Sequence, residues 1–161
     1  MIRAAVAVTL GLFAAAPLSV AAAPAGSPLG DWFDQSKKAV IHVAPCAPSA
    51  QALCGRITWL REPNLPDGRP KRDANNTDPA LRNRPICGLP MLGGFVPGGD
   101  AGVWKDGRIY NPENGKTYHA TLRVEPDGTM RVRGYVMITL FGESQVWTRP
   151  PESLPACTPP R

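Results

Sequence analysis

Residues 116–135 read KTYHATLRVEPDGTMRVRGY, and this stretch decides the fold class. Apolar and polar side chains alternate from residue 116 to 124. From residue 130 to 140, one face carries Met130, Val132, Val136, Ile138 and Leu140, and the other carries Arg131, Arg133, Tyr135, Met137 and Thr139. Between the two runs, Pro126-Asp127-Gly128 is a turn signal. Alternation with a period of two is typical of half-buried strands, and tight turns join such strands in antiparallel order. The stretch therefore predicts an all-β fold, either a small antiparallel barrel or a sandwich.

Further strands are predicted on both sides of this hairpin. Nineteen prolines and sixteen glycines argue against long helices, because both residue types interrupt them. The predicted strands are residues 30–33, 39–43, 53–60, 103–104 and 108–110 (framing an Asp106-Gly107 turn), 116–124, 130–140 and 144–149.

The strand pattern stops after Leu60 for about forty residues. This segment is rich in turn formers, and its apolar part, residues 86–95, is broken by glycines. A loop this long is uncommon in a compact domain. The sequence therefore predicts a long loop between the third and fourth strands, which is either functional or a lid packed by its own side chains.

The beginning of the chain predicts export. Residues 1–23 combine a short positive start, an uncharged apolar run and small residues of the kind that signal peptidase cleaves, with cleavage after Ala23 or Ala25. A membrane anchor is the weaker alternative, because the run is rich in Ala rather than Leu. We therefore expect a periplasmic or secreted protein with no transmembrane segment after signal cleavage. A β-barrel domain is predicted at 29–149 and a Pro-rich C-terminal tail at 150–161.

The chain has four cysteines, and an even number in an exported chain predicts two disulfides. Cys46 and Cys54 flank a short loop between two strands, so a hairpin brings them together. Cys87 and Cys157 then pair and tie the long loop to the tail. A metal site or reactive thiols are the alternative, but there is no Cys-x-x-Cys motif. We expect no bound metal.

The charge pattern indicates which classes of partner the protein can bind. The formal net charge is +5, and the basic residues are scattered singly or in pairs. No run resembles a nucleic-acid arm or a polybasic membrane patch, so no nucleic-acid partner is predicted. A weak attraction to anionic surfaces stays open.

Two motifs at opposite ends of the strand region belong together. Gly30-x-Trp32 opens the first strand, and Trp147-x-Arg149 closes the last one. In lipocalin-like barrels a Trp of the first strand plugs the closed end and an Arg of the last strand lies over its ring. A guanidinium on an indole face covers the apolar plug and keeps part of its hydration. The chain resembles that arrangement at Trp32 and Arg149; the alternative is an ordinary core Trp and a surface Arg.

A second resemblance covers nearly all of the chain after the signal. The chain resembles the small exported bacterial family catalogued as domain of unknown function 2147, which implies a secreted, mostly β domain without an agreed activity. The blocks that carry this resemblance are G30-x-W32, L53CGRI57, W59L60, P66DG68, D73-x-x-N76, L81RNRP85 with G88, G107RIYNPENGKTY118, R133GY135, F141G142 and W147-x-R149.

The segment from Asp73 to Arg84 predicts a polar loop site. Four oxygen-bearing side chains, Asp73, Asn75, Asn76 and Asp78, lie within six residues, and hard cations such as Ca²⁺ take oxygen ligands. Clusters of Asp and Asn beside Pro are more often caps and turns, which is the alternative. Arg84 could reach an anionic ligand or pair with Asp73 or Asp78.

The sequence assembles no acid, base and nucleophile, so no catalytic residue and no cofactor are predicted. We expect a non-catalytic binding module that holds a small apolar or amphipathic ligand in a lipocalin-like barrel. Candidate lining residues are Trp104, Tyr118, Tyr135 and Met137. Two alternatives stay open: an envelope protein that binds a partner protein through its surface, and a hydrolase-like enzyme with a site near residues 73–84.

Overall fold

The computed structural model describes residues 26–48, 51–138, 140–152 and 154–158. The signal peptide predicted at residues 1–23 lies outside the described residues. The strands are β1 (Gly30–Phe33), β2 (Ala39–Pro45), β3 (Leu53–Leu60), β4 (Pro90–Pro97), β5 (Val103–Asn111), β6 (Lys116–Val124), β7 (Met130–Tyr135) and β8 (Gly142–Trp147).

The eight strands form one antiparallel sheet in which each strand pairs with its neighbours in the sequence. The sheet curls until its two edges meet. Phe33 at the end of β1 and Thr148 just after β8 exchange backbone hydrogen bonds of 2.8 and 3.2 Å. The predicted all-β antiparallel barrel is confirmed.

The inward positions of the strands build the hydrophobic core. Along β6 the residues Ala120, Leu122 and Val124 are buried, and their neighbours in the sequence face outward. Trp32, Phe95 and Trp147, all 0% exposed, are the largest buried side chains. Burying such rings stabilises the fold by several kcal/mol each in order of magnitude.

Trp32 and Arg149 close the end of the barrel at which β1 begins. The Arg149 guanidinium lies 3.7 Å from the centre of the Trp32 ring. It also donates hydrogen bonds to the backbone carbonyls of Ser27, Leu29 and Asp31 at 2.7 to 3.2 Å. Burial lowers the pKa of Arg149, although Asp31 opposes this shift. Arg149 therefore ties the strand edges of β1 and β8 together while covering the indole.

Gly30 is what allows this approach. Its φ of +97° lies in the region that favours glycine. A Cβ at this position would lie 3.0 Å from the Arg149 Nη1 atom. The spacing Gly-x-Trp thus has a physical reason in this chain.

Two disulfides join the cysteines as the sequence predicts. Cys46 pairs with Cys54 across the β2–β3 turn, and Cys87 pairs with Cys157 of the tail. The second bridge closes a separation of 70 residues. In the chain-entropy model a bridge of this separation stabilises the fold by about 4 kcal/mol. Such bridges are typical of proteins that fold in an oxidising, exported environment.

Three predictions of strand boundaries were wrong. β4 lies inside the segment predicted as loop, because Gly93 and Gly94 interrupt the alternation that marks a strand. The connection between β3 and β4 is therefore residues 61–89. The predicted Asp106-Gly107 turn is a bulge within the continuous strand β5, where Asp106 has a φ of +59°.

The strand predicted over residues 130–140 was also too long. β7 ends at Tyr135, and the chain reverses before β8 begins at Gly142. The apolar residues Val136, Met137, Ile138, Leu140 and Phe141 belong to the β7–β8 turn and face solvent.

Candidate functional site

The barrel contains a cavity of about 1490 Å³. It opens at the end where β1 joins β2, β3 joins β4, β5 joins β6 and β7 joins β8, since residues of all four connections line it. We call this end the mouth. The large core rings fill the opposite end, so the free volume is confined to the mouth half of the barrel.

Gly134, an inward residue without a side chain, contributes to this volume. Gly134 of β7 pairs with Ala120 of β6, and both occupy inward positions of the sheet. A Cβ added at Gly134 would make only ordinary contacts, 3.5 Å from Ile109 and 3.8 Å from Tyr118. The absence of a side chain at Gly134 therefore leaves open space rather than relieving a clash.

The floor of the cavity is apolar. Its wall includes the side chains of Ile57, Leu60, Ile86, Met91, Ile109 and Val132. Ile86 and Met91 are only partly buried by the hydrophobic core, so they present apolar surface to the cavity. A ligand with a hydrocarbon part would remove this surface from water.

The rim is polar and mainly basic, with six basic and four acidic residues lining the cavity. Several of the cations have partners: Lys71 lies 3.2 Å from Glu62, Arg72 donates to the Asn83 carbonyl, and Arg82 donates to the Asn76 carbonyl. Lys38 and Arg61 differ. Within the described part of the chain, neither side chain makes a hydrogen bond or an ion pair.

Lys38 and Arg61 are also neighbours, because the Arg61 amide donates to the Lys38 carbonyl at 2.8 Å. The pair sits where β2 begins and β3 ends, beside the apolar floor at Ala39 and Leu60. Two adjacent cations whose side chains have no carboxylate partner in the described part of the chain are suited to bind an anionic group.

The four residues predicted to line the cavity are not all found there. Tyr118 is inward and lines the cavity, and its hydroxyl accepts a hydrogen bond from Asn114 at 2.9 Å. Tyr135 reaches the rim, but its ring stacks on His119 with the ring centres 5.7 Å apart. Trp104 packs against the hydrophobic core instead of the cavity. Met137 is 86% exposed in the β7–β8 turn and does not line the cavity.

The polar residues predicted as a loop site form a network around Asp73. Its side chain, 0% exposed, accepts hydrogen bonds from Tyr110 at 2.6 Å, from Arg84 at 2.8 Å and from Asn76 at 2.8 Å. Asp78 stands apart, since its carboxylate caps the 3-10 turn Pro79–Leu81. Asp73, Asn76 and Arg84 thus lie together, and Asp78 does not join them.

This network fastens the β3–β4 connection to β5. Tyr110 belongs to β5, and Asn75 also donates to the Glu113 carbonyl of the β5–β6 turn at 2.9 Å. Asp73 lies behind the cavity wall, whereas the adjacent Ala74 lines it. Tyr110, Arg84 and Asn76 already engage both carboxylate oxygen atoms of Asp73. The network therefore has a structural role, which is to position one wall of the cavity.

Residues 30–149 match the model of a bacterial protein family described as "Uncharacterized protein conserved in bacteria (DUF2147)". The chain belongs to this family. The matched residues run from the start of β1 to Arg149, so the match covers the whole barrel.

A solved structure with a similar fold is described as "Protein HP1028 from the human pathogen Helicobacter pylori belongs to the lipocalin family". The TM-score is 0.64 at 21% sequence identity, over 76% of this chain and 82% of that chain. This likeness shows the fold of this DUF2147 member, which is lipocalin-like. No curated protein matches the sequence.

Lys38, Arg61 and Gly134 line the cavity but were not predicted as cavity residues from the sequence. Gly134 carried a usable signal, because a glycine at an inward position of a regular strand marks missing volume. Lys38 and Arg61 carried none, since their proximity depends on the register of β2 and β3, in which Ala39 pairs with Leu60.

Within the described residues, no cluster of His, Cys, Asp and Glu side chains could hold a metal ion. No helix in that part of the chain is long and apolar enough to cross a membrane.

The Tyr110 hydroxyl makes the network sensitive to high pH. Burial raises the pKa of Tyr110 above its ordinary value of 10.0, and the hydrogen bond to Asp73 and the charge of Asp73 raise it further, although Arg84 lowers it. The folded protein therefore holds this proton more tightly than the unfolded chain does. The free energy of unfolding should fall as the pH rises from about 10 through the raised pKa.

Ultraviolet absorbance titration checks this expectation. The Tyr110 hydroxyl should ionise above its ordinary pKa of 10.0, and Tyr110→Phe should remove that late part of the absorbance change. The control Tyr118→Phe should leave it in place. If Tyr110→Phe left the titration above pH 10 unchanged, the assignment of the raised pKa to Tyr110 would be wrong.

Proposed function

We propose that this protein is an exported, non-catalytic binding module that holds one small amphipathic ligand in its barrel. The observation that carries the proposal is the pairing of an apolar cavity floor with Lys38 and Arg61 at the mouth, whose side chains have no partner among the described residues. The apolar part of the ligand contacts Ile57, Met91 and Val132. Its anionic end lies against the two cations.

The compartment supports this role. A periplasmic or secreted protein meets lipids, their breakdown products and other amphipathic molecules that need a carrier in water. The two disulfides suit that environment, and so does the signal sequence predicted for residues 1–23. Of the residues predicted from sequence, we assign Tyr118 to the ligand, because its side chain borders the cavity.

The polar network has a supporting role in this proposal. Asp73 and its partners hold the β3–β4 connection, which contributes Leu65, Arg69 and Arg72 to the cavity wall. The connection then acts as a fixed wall of the mouth.

A fluorescence titration tests the proposal. The probe is cis-parinaric acid, a fluorescent fatty acid, and its alcohol analogue serves as the uncharged comparison. We expect saturable binding of one probe per protein, with tighter binding of the acid than of the alcohol. Absence of saturable binding of either probe would contradict the proposal.

Substitution at Gly134 tests whether the ligand lies in the cavity. Gly134→Trp fills the floor and should weaken probe binding by at least about tenfold, because the new ring occupies the volume that the ligand needs. The matched control Gly134→Ala adds a Cβ at ordinary contact distance and should stay within about twofold. Equal binding by both variants would show that the probe binds elsewhere.

A further inference from the structure

The β7–β8 turn is an exposed apolar projection. Its exposed fractions are 86% for Met137, 75% for Leu140, 69% for Phe141, 57% for Val136 and 52% for Ile138. Single exposed apolar residues are ordinary on protein surfaces, but a contiguous group indicates an interaction site. We call these five side chains the apolar turn.

The turn is held in a defined shape by its own backbone. The Ile138 amide donates to the Val136 carbonyl at 2.8 Å, and the Phe141 amide donates to the Ile138 carbonyl at 3.1 Å. Met137 has a φ of +64°, which is uncommon for a residue other than glycine. Backbone of this kind persists where the surroundings enforce it, and such positions concentrate at functional sites.

The turn adjoins the mouth of the cavity. Val136 and Phe141 are exposed and also line the cavity, so the apolar surface continues from the turn into the barrel. Lys38, Arg61 and Arg72 lie on the same rim. The mouth therefore combines an apolar projection with basic side chains around an apolar opening.

We propose that the apolar turn inserts into the interfacial region of an anionic lipid bilayer and that the basic rim contacts the lipid headgroups. A projecting turn of six residues is small for a protein interface, which involves about 20 to 30 residues on each side. A bilayer surface needs only a few inserted apolar side chains, supplemented by Lys and Arg near the headgroups. This geometry turns the cavity mouth toward the membrane.

The inference rests on the proposed function in one respect. A cavity that faces the bilayer can exchange an amphipathic ligand with it without passing that ligand through water. Docking itself, however, depends only on the surface, so the two proposals can fail separately.

Co-sedimentation with lipid vesicles tests the docking. We expect the wild-type protein to bind vesicles of phosphatidylcholine mixed with phosphatidylglycerol more tightly than vesicles of phosphatidylcholine alone. Added salt should weaken this binding, since it screens the headgroup contacts. Lys38→Gln combined with Arg61→Gln should lower the affinity by about fivefold for each charge removed. The control Lys105→Gln, on β5 near the closed end, should have little effect.

The decisive variant combines Met137→Ser, Ile138→Ser and Leu140→Ser. None of these side chains lines the cavity, so binding of cis-parinaric acid in solution should stay within about twofold. Vesicle affinity should fall by at least about tenfold. The control Leu29→Ser alters a residue that is 37% exposed beside β1, at the opposite end of the barrel, and should leave vesicle binding unchanged.

Three results would overturn the docking proposal. The first is wild-type protein that does not bind the anionic vesicles. The second is a triple serine variant that binds them as tightly as the wild type does. The third is self-association without vesicles that the triple variant abolishes, which would assign the apolar turn to a second copy of this chain. The proposal of ligand binding would survive each of these results, because it is tested separately by probe binding in solution.

Discussion

Asp73→Ala is expected to lower the free energy of unfolding by about 3 kcal/mol. The Asp73 carboxylate is fully buried and accepts hydrogen bonds from Tyr110, Asn76 and Arg84. Alanine would leave these donors without their acceptor, and an unpaired buried donor costs more than the hydrogen bond contributes. This expected loss is at the lower end of the range for broken buried ion pairs, because the Arg84 side chain is 32% exposed and can recover some hydration.

The change should also loosen the cavity wall. Urea unfolding, with the midpoint and slope both fitted, measures the loss of stability. Hydrogen exchange of the Asn76 amide, which donates to the Asp73 carbonyl, reports on the loop itself.

Asp78→Ala is the matched control for this prediction. Asp78 belongs to the same loop, but it is exposed and only caps the 3-10 turn, so its loss should cost about 0.5 to 1 kcal/mol. Equal losses for Asp73→Ala and Asp78→Ala would contradict the role of Asp73 as the centre of the network.

Trp32→Ala is expected to lower the free energy of unfolding by about 3 to 5 kcal/mol. The side chain is 0% exposed at the closed end, and its Nε1 atom donates to the Pro28 carbonyl at 2.7 Å. Its removal leaves a cavity and takes away the surface on which the Arg149 guanidinium lies. Thermal and urea unfolding followed by circular dichroism measure the effect.

Two comparisons make this result specific. Trp59→Ala alters a half-buried ring that contacts Phe33 edge to face, and it should cost about 1 to 2 kcal/mol. Arg149→Lys keeps the charge but loses the planar group over Trp32, so it should cost about 1 to 2 kcal/mol. If Trp32→Ala were no worse than Trp59→Ala, the closed end would not depend on the Trp32 plug.

Sequence reasoning could predict the regular part of the barrel. Strict alternation in β6 determines which side chains face inward, and the turn at residues 126–128 determines that β6 and β7 pair in antiparallel order. The four cysteines could be paired because short strands and turns limit which of them can meet.

It could not predict the irregular parts. Gly93 and Gly94 hide β4, and the bulge at Asp106 imitates a turn, because local sequence does not reveal which backbone a neighbouring strand will pair with. Met137 shows the same limit. It was predicted to line the cavity as part of a strand that reaches residue 140, but β7 ends two residues before it.

The candidate site was predicted only where it lies on a regular strand, as Tyr118 does. Lys38 and Arg61 are distant in the sequence and unremarkable in type. They become a pair only through the register of β2 and β3, in which Ala39 pairs with Leu60. The Asp73 network was found as a polar cluster, but its partner Tyr110 lies on β5 and belongs to no local pattern.

The central claim is that the cavity at the mouth holds an amphipathic ligand. Native mass spectrometry of the protein after export to a bacterial periplasm tests it most directly, with the same sample measured again after denaturation. We expect one additional molecule of lipid-like mass that is lost on denaturation and is reduced in Gly134→Trp produced in the same way. A bare wild-type monomer, which also fails to take up a fatty acid added in solution, would contradict the account.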